Sequence, residues 1–154
     1  MSPRAAEPSA SSLEESFGRR LVLLYNLYTQ PFFEQIGRPE GIILPEWLII
    51  STLARHPGIG PSQVSRLTGL HKTTVSRVLS QLCTKGYVKQ SADPNDGRGK
   101  ILDLALAGEQ IFTRRAEWAH DWSMLLTGGL SDSEKSTLAD MLDRIIENSR
   151  QRNG

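Results

Sequence analysis

"HKTTVSRVLSQLCTKGYV", His71 to Val88, is the stretch on which the reading of this chain turns. Val75, then Val78 or Leu79, then Leu82 recur at helical spacing, and Gly86 is placed to stop the helix. Opposite that apolar stripe lie Lys72, Thr73, Ser76, Arg77 and Ser80, with Thr74 near the exposed N-terminal end. A helix that enters a DNA major groove needs short side chains and an arginine able to grip guanine through two hydrogen bonds. A solvated helix face uses the same residue types, so the stretch by itself leaves both readings open.

Its neighbours favour the first. Upstream, "GPSQVSRLTGL" puts Gly60 at a cap, Pro61 in the first helical turn and Val64 with Leu67 facing inward, before Gly69 interrupts. Helix, short turn with glycine, helix is the helix-turn-helix layout. Downstream, "YVKQSA" and "ILDLAL" suit extended structure, and Pro94, Asn95, Asp96 and Gly97 between them supply turn chemistry, so a β-hairpin or wing is expected. From Gly60 to Lys100 there are seven cations against two carboxylates, a net +5, which leaves −4 for the rest of a chain whose net charge is +1. That asymmetry places a basic face on a neutral-to-acidic scaffold.

Farther out the pattern is helical. Residues 1–11 are Pro-, Ala- and Ser-rich without periodicity and read as a disordered arm, and 150–154 as a tail. Ser12 and Glu15 form a capping-box pattern ahead of the stripe Leu13, Phe17, Leu21, Leu24, Tyr28 and Phe32. Pro31 should bend or end that helix, and Gly37 with Pro39 should mark a break. Pro45 opens a second helix carrying Trp47, Leu48, Ile50 and Leu53, stopped by Pro57 and Gly58. After the hairpin, a helix from about 106 to 127 points Ile111, Phe112, Ala119, Trp122 and Leu126 inward. "SDSE" at Ser131 to Glu134 caps a last helix carrying Leu138, Met141, Leu142, Ile145 and Ile146.

With 154 residues, 38% of them hydrophobic, the chain suffices for one core and is short for two ordinary domains. It has no apolar run of about 18 residues and no signal-peptide pattern at its start, so a soluble, cytoplasmic protein without membrane contact is expected. Cys83 is the single cysteine, which excludes an intrachain disulfide and a cysteine-rich zinc site.

The phrase "HKTTVSRVLSQLCTKGYV", the wing with Asp96-x-Arg98 and the following "ILDLALAG" resemble the MarR (multiple-antibiotic-resistance regulator) family of winged-helix transcription factors. The resemblance runs from about Leu13 to Ser149. It implies a mainly α fold with a small β-wing, a DNA-binding lobe at about 44–105, and dimerisation helices at about 12–37 and 106–149. The implied partners are a second copy of the chain and double-stranded DNA with a pseudo-palindromic site. Candidate DNA contacts are Ser62, His71, Lys72, Thr73, Thr74, Ser76, Arg77, Ser80, Asp96, Arg98 and Lys100. In the family, the arginine matching Arg98 enters the minor groove and the aspartate matching Asp96 orients it. Physically, a carboxylate two residues away holds a long guanidinium extended and lessens the entropy lost on binding.

Two positions depart from the family pattern. Relatives show Leu-Thr before the helix after the wing, where this chain has Leu104 and Ala105 and lacks the cap. The recognition helix opens on His71, a poor cap that is also able to meet a phosphate.

The resemblance also implies a repressor released by a small aromatic or anionic effector, for which Tyr25, Tyr28, Trp47 and His56 are candidate wall residues; core packing is the competing reading. Two alternatives are a redox-responsive regulator acting through Cys83, which has no second cysteine to resolve a sulfenic acid, and a dimeric interaction module without DNA binding. His56, His71 and His120 lack metal-motif spacing, and no metal or cofactor is expected. "GIG" at Gly58 to Gly60 lacks the strand-to-helix setting of a phosphate loop, and His120 beside Asp121 has no placed nucleophile, so no catalytic residues and no enzyme are expected.

Overall fold

The structure is a computed structural model and describes residues 10–94, 96 and 99–153. Residues 1–9 of the expected arm, Gly154 of the tail, and Asn95, Gly97 and Arg98 of the wing turn lie outside the described residues. The side chains of Ser12, Leu13 and Glu15, on which the first capping box rests, lie outside them too.

The chain divides into two compact units, Met1–Arg114 and Arg115–Gly154. In the first, α1 spans Ala10–Phe32, opening two residues inside the stretch expected as an arm. Pro31 does not end it. Proline cannot donate a backbone bond, and directly after it the helix widens into a π-helical turn, Phe33–Gly37, with the Arg38 N–H reaching back to Phe33 O. The expected break at Gly37 and Pro39 is corrected: α2, Arg38–Glu40, carries Pro39 in its first turn, and the chain turns at Gly41, whose φ of 64° is left-handed.

Helix α3, Leu44–Arg55, has Pro45 in its first turn and buries Trp47, Ile49, Ile50 and Leu53. Leu48 is half-buried, and Ile49, absent from the stripe read in the sequence, is fully buried. Helix α4, Pro61–Thr68, follows the Gly60 cap and buries Val64, while Leu67, expected inward, is 43% exposed. The turn after α4 is held by Gly69 at φ 73° and by hydroxyls: Ser65 donates to Leu70 O at 2.7 Å, and the Leu70 N–H donates to Thr68 Oγ1 at 3.2 Å.

Helix α5, Lys72–Thr84, buries both Val78 and Leu79 along with Val75 and Leu82. It closes in a Schellman arrangement, with the Gly86 N–H on Cys83 O and the Tyr87 N–H on Leu82 O. The chain leaves into β1, Val88–Ala92, paired antiparallel with β2, Lys100–Leu104. Val88 faces Leu104 and Gln90 faces Leu102, so Val88, Leu102 and Leu104 share the buried face. The segment before α4 adds an isolated bridge, Ile59 to Leu102, which sets the start of the helix pair against the hairpin.

Helix α6, Leu106–Leu126, forms although Ala105 offers no capping side chain; the Glu109 N–H bonds to Ala105 O at 3.0 Å. Arg114 on it grips Glu40 through two hydrogen bonds of 3.2 and 2.7 Å, and that bonding raises the guanidinium above its already high pKa.

In the second unit, α7 spans Asp132–Asn153. Its capping box is present, with the Ser131 N–H and hydroxyl both donating to Glu134 Oε2 at 2.8 and 2.7 Å. Trp118 and Trp122 stack one helical turn apart on α6. Leu126, expected inward, is exposed in the single chain, as are Leu138, Met141, Leu142 and Ile146 of the α7 stripe, and Ile145 is half-buried. Among the described residues, no helix is long and apolar enough to cross a membrane.

Candidate functional site

The site begins with a division of labour on α5. Its buried positions Val75, Val78, Leu79 and Leu82 orient the helix so that Lys72, Thr73, Ser76, Arg77 and Ser80 are exposed together, with Thr74 half-buried. That follows from 3.6 residues per turn: with one stripe held in the core, the other is turned to solvent.

His71 is the N-cap. Its Nδ1 accepts from the Thr73 N–H at 3.4 Å and lies 2.8 Å from Thr73 Oγ1. The imidazole therefore caps, loosely, where a poor cap was expected. Acceptance at Nδ1 requires the neutral ring, because both nitrogens of a charged imidazole are donors.

Beside α5 the hairpin forms the second wall of an open cleft of 240 Å³. Pro61 and Ser62 of α4, Lys72, Val75, Ser76 and Leu79 of α5, and Gln90 and Lys100 of the strands line it. A second cleft, of 470 Å³, continues along the same two elements past Ser76, Ser80, Cys83, Thr84 and Val88 to Gln90 and Lys100. Ser62, Lys72, Ser76, Ser80 and Lys100, chosen from three separated stretches of sequence, thus converge on one surface. Gly60 belongs to this arrangement, since a Cβ there would stand 3.3 Å from Lys100 O.

Gln90 and Thr84 are polar lining residues that the sequence reading missed. Gln90 follows Val88 by two positions and so lies on the same side of β1, though exposed, a period-two signal that was available but weak over five residues. The wing turn is closed by two backbone bonds, Asp93 N–H to Gly99 O at 3.0 Å and Gly99 N–H to Asp96 O at 2.8 Å. Asp96 is exposed at this turn, and Arg98 lies outside the described residues.

Lys85, counted among the basic residues of this region, faces away from that role. Its ammonium donates to Glu46 Oε1 at 2.8 Å, to Oε2 at 3.0 Å and to Gly41 O at 3.2 Å.

The candidate effector residues are dispersed in kind. Tyr25 and Tyr28 are exposed on α1, and His56 is the exposed C-cap of α3. Trp47 is buried and stacked on Phe112 at 6.1 Å, with the Arg55 guanidinium 5.5 Å from the far ring's centroid. Cys83 is half-buried and its thiol is free.

Comparison with known proteins bears on this surface directly. Residues 40–99 match the sequence pattern described as the MarR family, a span that contains α3, α4, α5, β1 and the wing turn. The multiple antibiotic resistance protein MarR of Escherichia coli (strain K12) is 23% identical over 128 residues, covering 82% of this chain and 89% of that protein. A mutant of the E. coli protein, solved with operator DNA, superposes with a TM-score of 0.73 at 20% identity over 90% of this chain and 99% of its own. The MarR/EmrR family transcriptional regulator from Acinetobacter sp. ADP1 gives a TM-score of 0.80 at 22% identity, covering 90% of this chain and 98% of that one. The PcaV transcriptional regulator from Streptomyces coelicolor, solved with its natural ligand, gives 0.73 at 22% identity, covering 94% and 99%. The solved structures share the winged-helix fold, and residues 40–99 of this chain carry the sequence pattern of the MarR family.

Proposed function

We propose that the protein is a dimeric repressor that binds a pseudo-palindromic duplex and is released from it by a small effector. The observation that carries the reading is the convergence of Ser62, Lys72, Ser76, Ser80 and Lys100 on one open surface beside the exposed Arg77. In this reading the N-terminal half of α5 enters the major groove. Thr73, Ser76 and Arg77 reach base edges, while Ser62, His71, Lys72, Thr74 and Ser80 meet the backbone. The wing, with Asp96, Arg98 and Lys100, follows the adjacent minor groove.

Two-fold pairing supports the palindrome. Exposed apolar side chains on α1, among them Leu21, Leu24 and Tyr28, and on α7, among them Leu138, Leu142 and Ile146, offer faces for a second copy. Two recognition helices in such a dimer address half-sites about 34–36 Å apart. The effector part of the reading draws on the relative solved with its natural ligand, and Tyr25, Tyr28, Trp47 and His56 remain the side chains to test for it.

The test is selection of duplexes from a random pool, followed by affinity for the winner across a salt series. A pseudo-palindromic winner and steep salt dependence are expected. Arg77→Ala should then lose about 1–3 kcal/mol and relax preference at one base pair per half-site. A pool with no enriched sequence, with and without candidate aromatic acids added, would sink the reading in favour of an interaction module.

A further inference from the structure

Helix α5 is held to the core by four aliphatic side chains, and such contacts are non-directional. They resist separation of the helix from the core far more than they resist its rotation or sliding. One directional attachment stands at its C-terminal end. Lys85, the C-cap residue, spans 39 positions of sequence to place its ammonium between both carboxylate oxygens of Glu46. It also donates to the carbonyl of Gly41, the residue at which the chain turns into α3. Glu46 is 2% exposed and its Oε2 accepts from the Ile43 N–H at 3.0 Å as well, so both its oxygens are engaged.

A pair of this kind is a weak source of net stability, because desolvating the carboxylate offsets most of the attraction. Its geometry is nevertheless demanding. Three hydrogen bonds from one ammonium determine how far the end of α5 lies from the first turn of α3 and about which axis the helix is rotated.

We infer that Lys85 and Glu46 form a positioning pair that sets the pose of the recognition helix, so that they govern discrimination between DNA sequences without either residue touching DNA. The inference rests on the reading of α5 as a recognition helix. It moves Lys85 from the basic surface to the frame, and it gives a buried carboxylate a part in sequence preference.

The sign of the effect separates this from charge alone. Removing an anion from a DNA-binding protein raises its affinity for any duplex if only long-range electrostatics act. Glu46→Gln, isosteric with the native side chain, should do the opposite and lower affinity for the selected duplex.

The experiment measures wild type, Lys85→Met, Glu46→Gln and the double variant against the duplex enriched from the random pool and a scrambled duplex of the same length. Each is taken across a salt series, with affinities referred to the folded fraction. Each single variant is expected to lose roughly three- to tenfold for the selected duplex, and the double variant no more than the worse single, as befits one coupled unit. Affinity of Lys85→Met for the scrambled duplex, and its salt slope, should match wild type.

A salt slope that falls by about 0.9 in Lys85→Met would make Lys85 a phosphate contact and overturn the proposal. Lower thermal midpoints with both affinities unchanged would overturn it as well, leaving a merely stabilising pair. Glu46→Gln carries the test alone if Lys85→Met fails to fold, since raised or unchanged affinity for the selected duplex contradicts positioning. A wild-type protein that prefers no duplex brings down the DNA-binding reading itself, an outcome visible before any variant is compared.

Discussion

Gly108 lies in the first turn of α6 against the Tyr87 carbonyl, where an added Cβ would come within 2.2 Å of that oxygen. The same carbonyl accepts the Ala105 N–H at 3.0 Å, so it is not free to swing aside. Helix propensity alone favours alanine over glycine by about 0.8–1.0 kcal/mol inside a helix. Close approach reverses the sign: Gly108→Ala should destabilise the protein by roughly 1–3 kcal/mol, the usual cost of overpacking. Denaturant unfolding checks this, and a variant as stable as wild type would show that the helix can shift at no cost. His71 teaches a related lesson at the same scale. A residue ranked low as a cap still caps when its ring nitrogen falls within reach of the second helical N–H, here over the long distance of 3.4 Å.

Elements were predicted better in their existence than in their ends. Helices α3, α4, α5 and α7 and the two strands lie where periodicity and turn residues put them, because each is bounded by a local device: Pro45, the Gly60 cap, Gly86, and the Ser131–Glu134 box. The passage from α1 to α3 was misread, since Pro31 lies inside α1 and Gly37 belongs to the π-helical turn that follows it. The cap of α7 yields a pH prediction. The Ser131 backbone N–H, and after it the Ser131 hydroxyl, hold the Glu134 carboxyl below the usual carboxylate range. A carboxyl whose folded pKa is depressed contributes fully above its unfolded pKa and loses the contribution as pH falls through the folded value. Acidification below the ordinary glutamate range should therefore loosen the first turn of α7. Glu134→Gln should remove that dependence. Carboxyl chemical shifts read it directly, and a Glu134 midpoint at or above the ordinary glutamate value would contradict the cap.

On the scale of the whole molecule, the apolar faces of α1 and α7 are the features a single chain does not account for. Phe17, Leu21, Leu24 and Tyr28 recur at helical spacing and are all exposed, as are Leu138, Leu142 and Ile146. Periodicity detects an apolar stripe but not which molecule covers it; the expectation that these helices dimerise comes from the family resemblance. If a second copy covers them, sedimentation should find a dimer at micromolar concentration and the thermal midpoint should rise with protein concentration. Leu142→Asp should shift the population toward monomer and lower that midpoint. A concentration-independent monomer would remove the two-fold argument for a palindromic site.

The order of elements, the helix pair with its glycine turn, the hairpin after it and the apolar side of α5 were all legible from the residues alone. Each of these is written in short-range chemistry: a 3.6-residue period, a capping residue, a turn-forming run. The residues also carry the family resemblance, through the α5 phrase and the wing spacing. That Ser62, Ser76, Gln90 and Lys100 share one surface, and that Lys85 is committed to Glu46, emerges from the packed fold alone. Such pairings join positions tens of residues apart, and no local pattern fixes their distance until the core between them has packed.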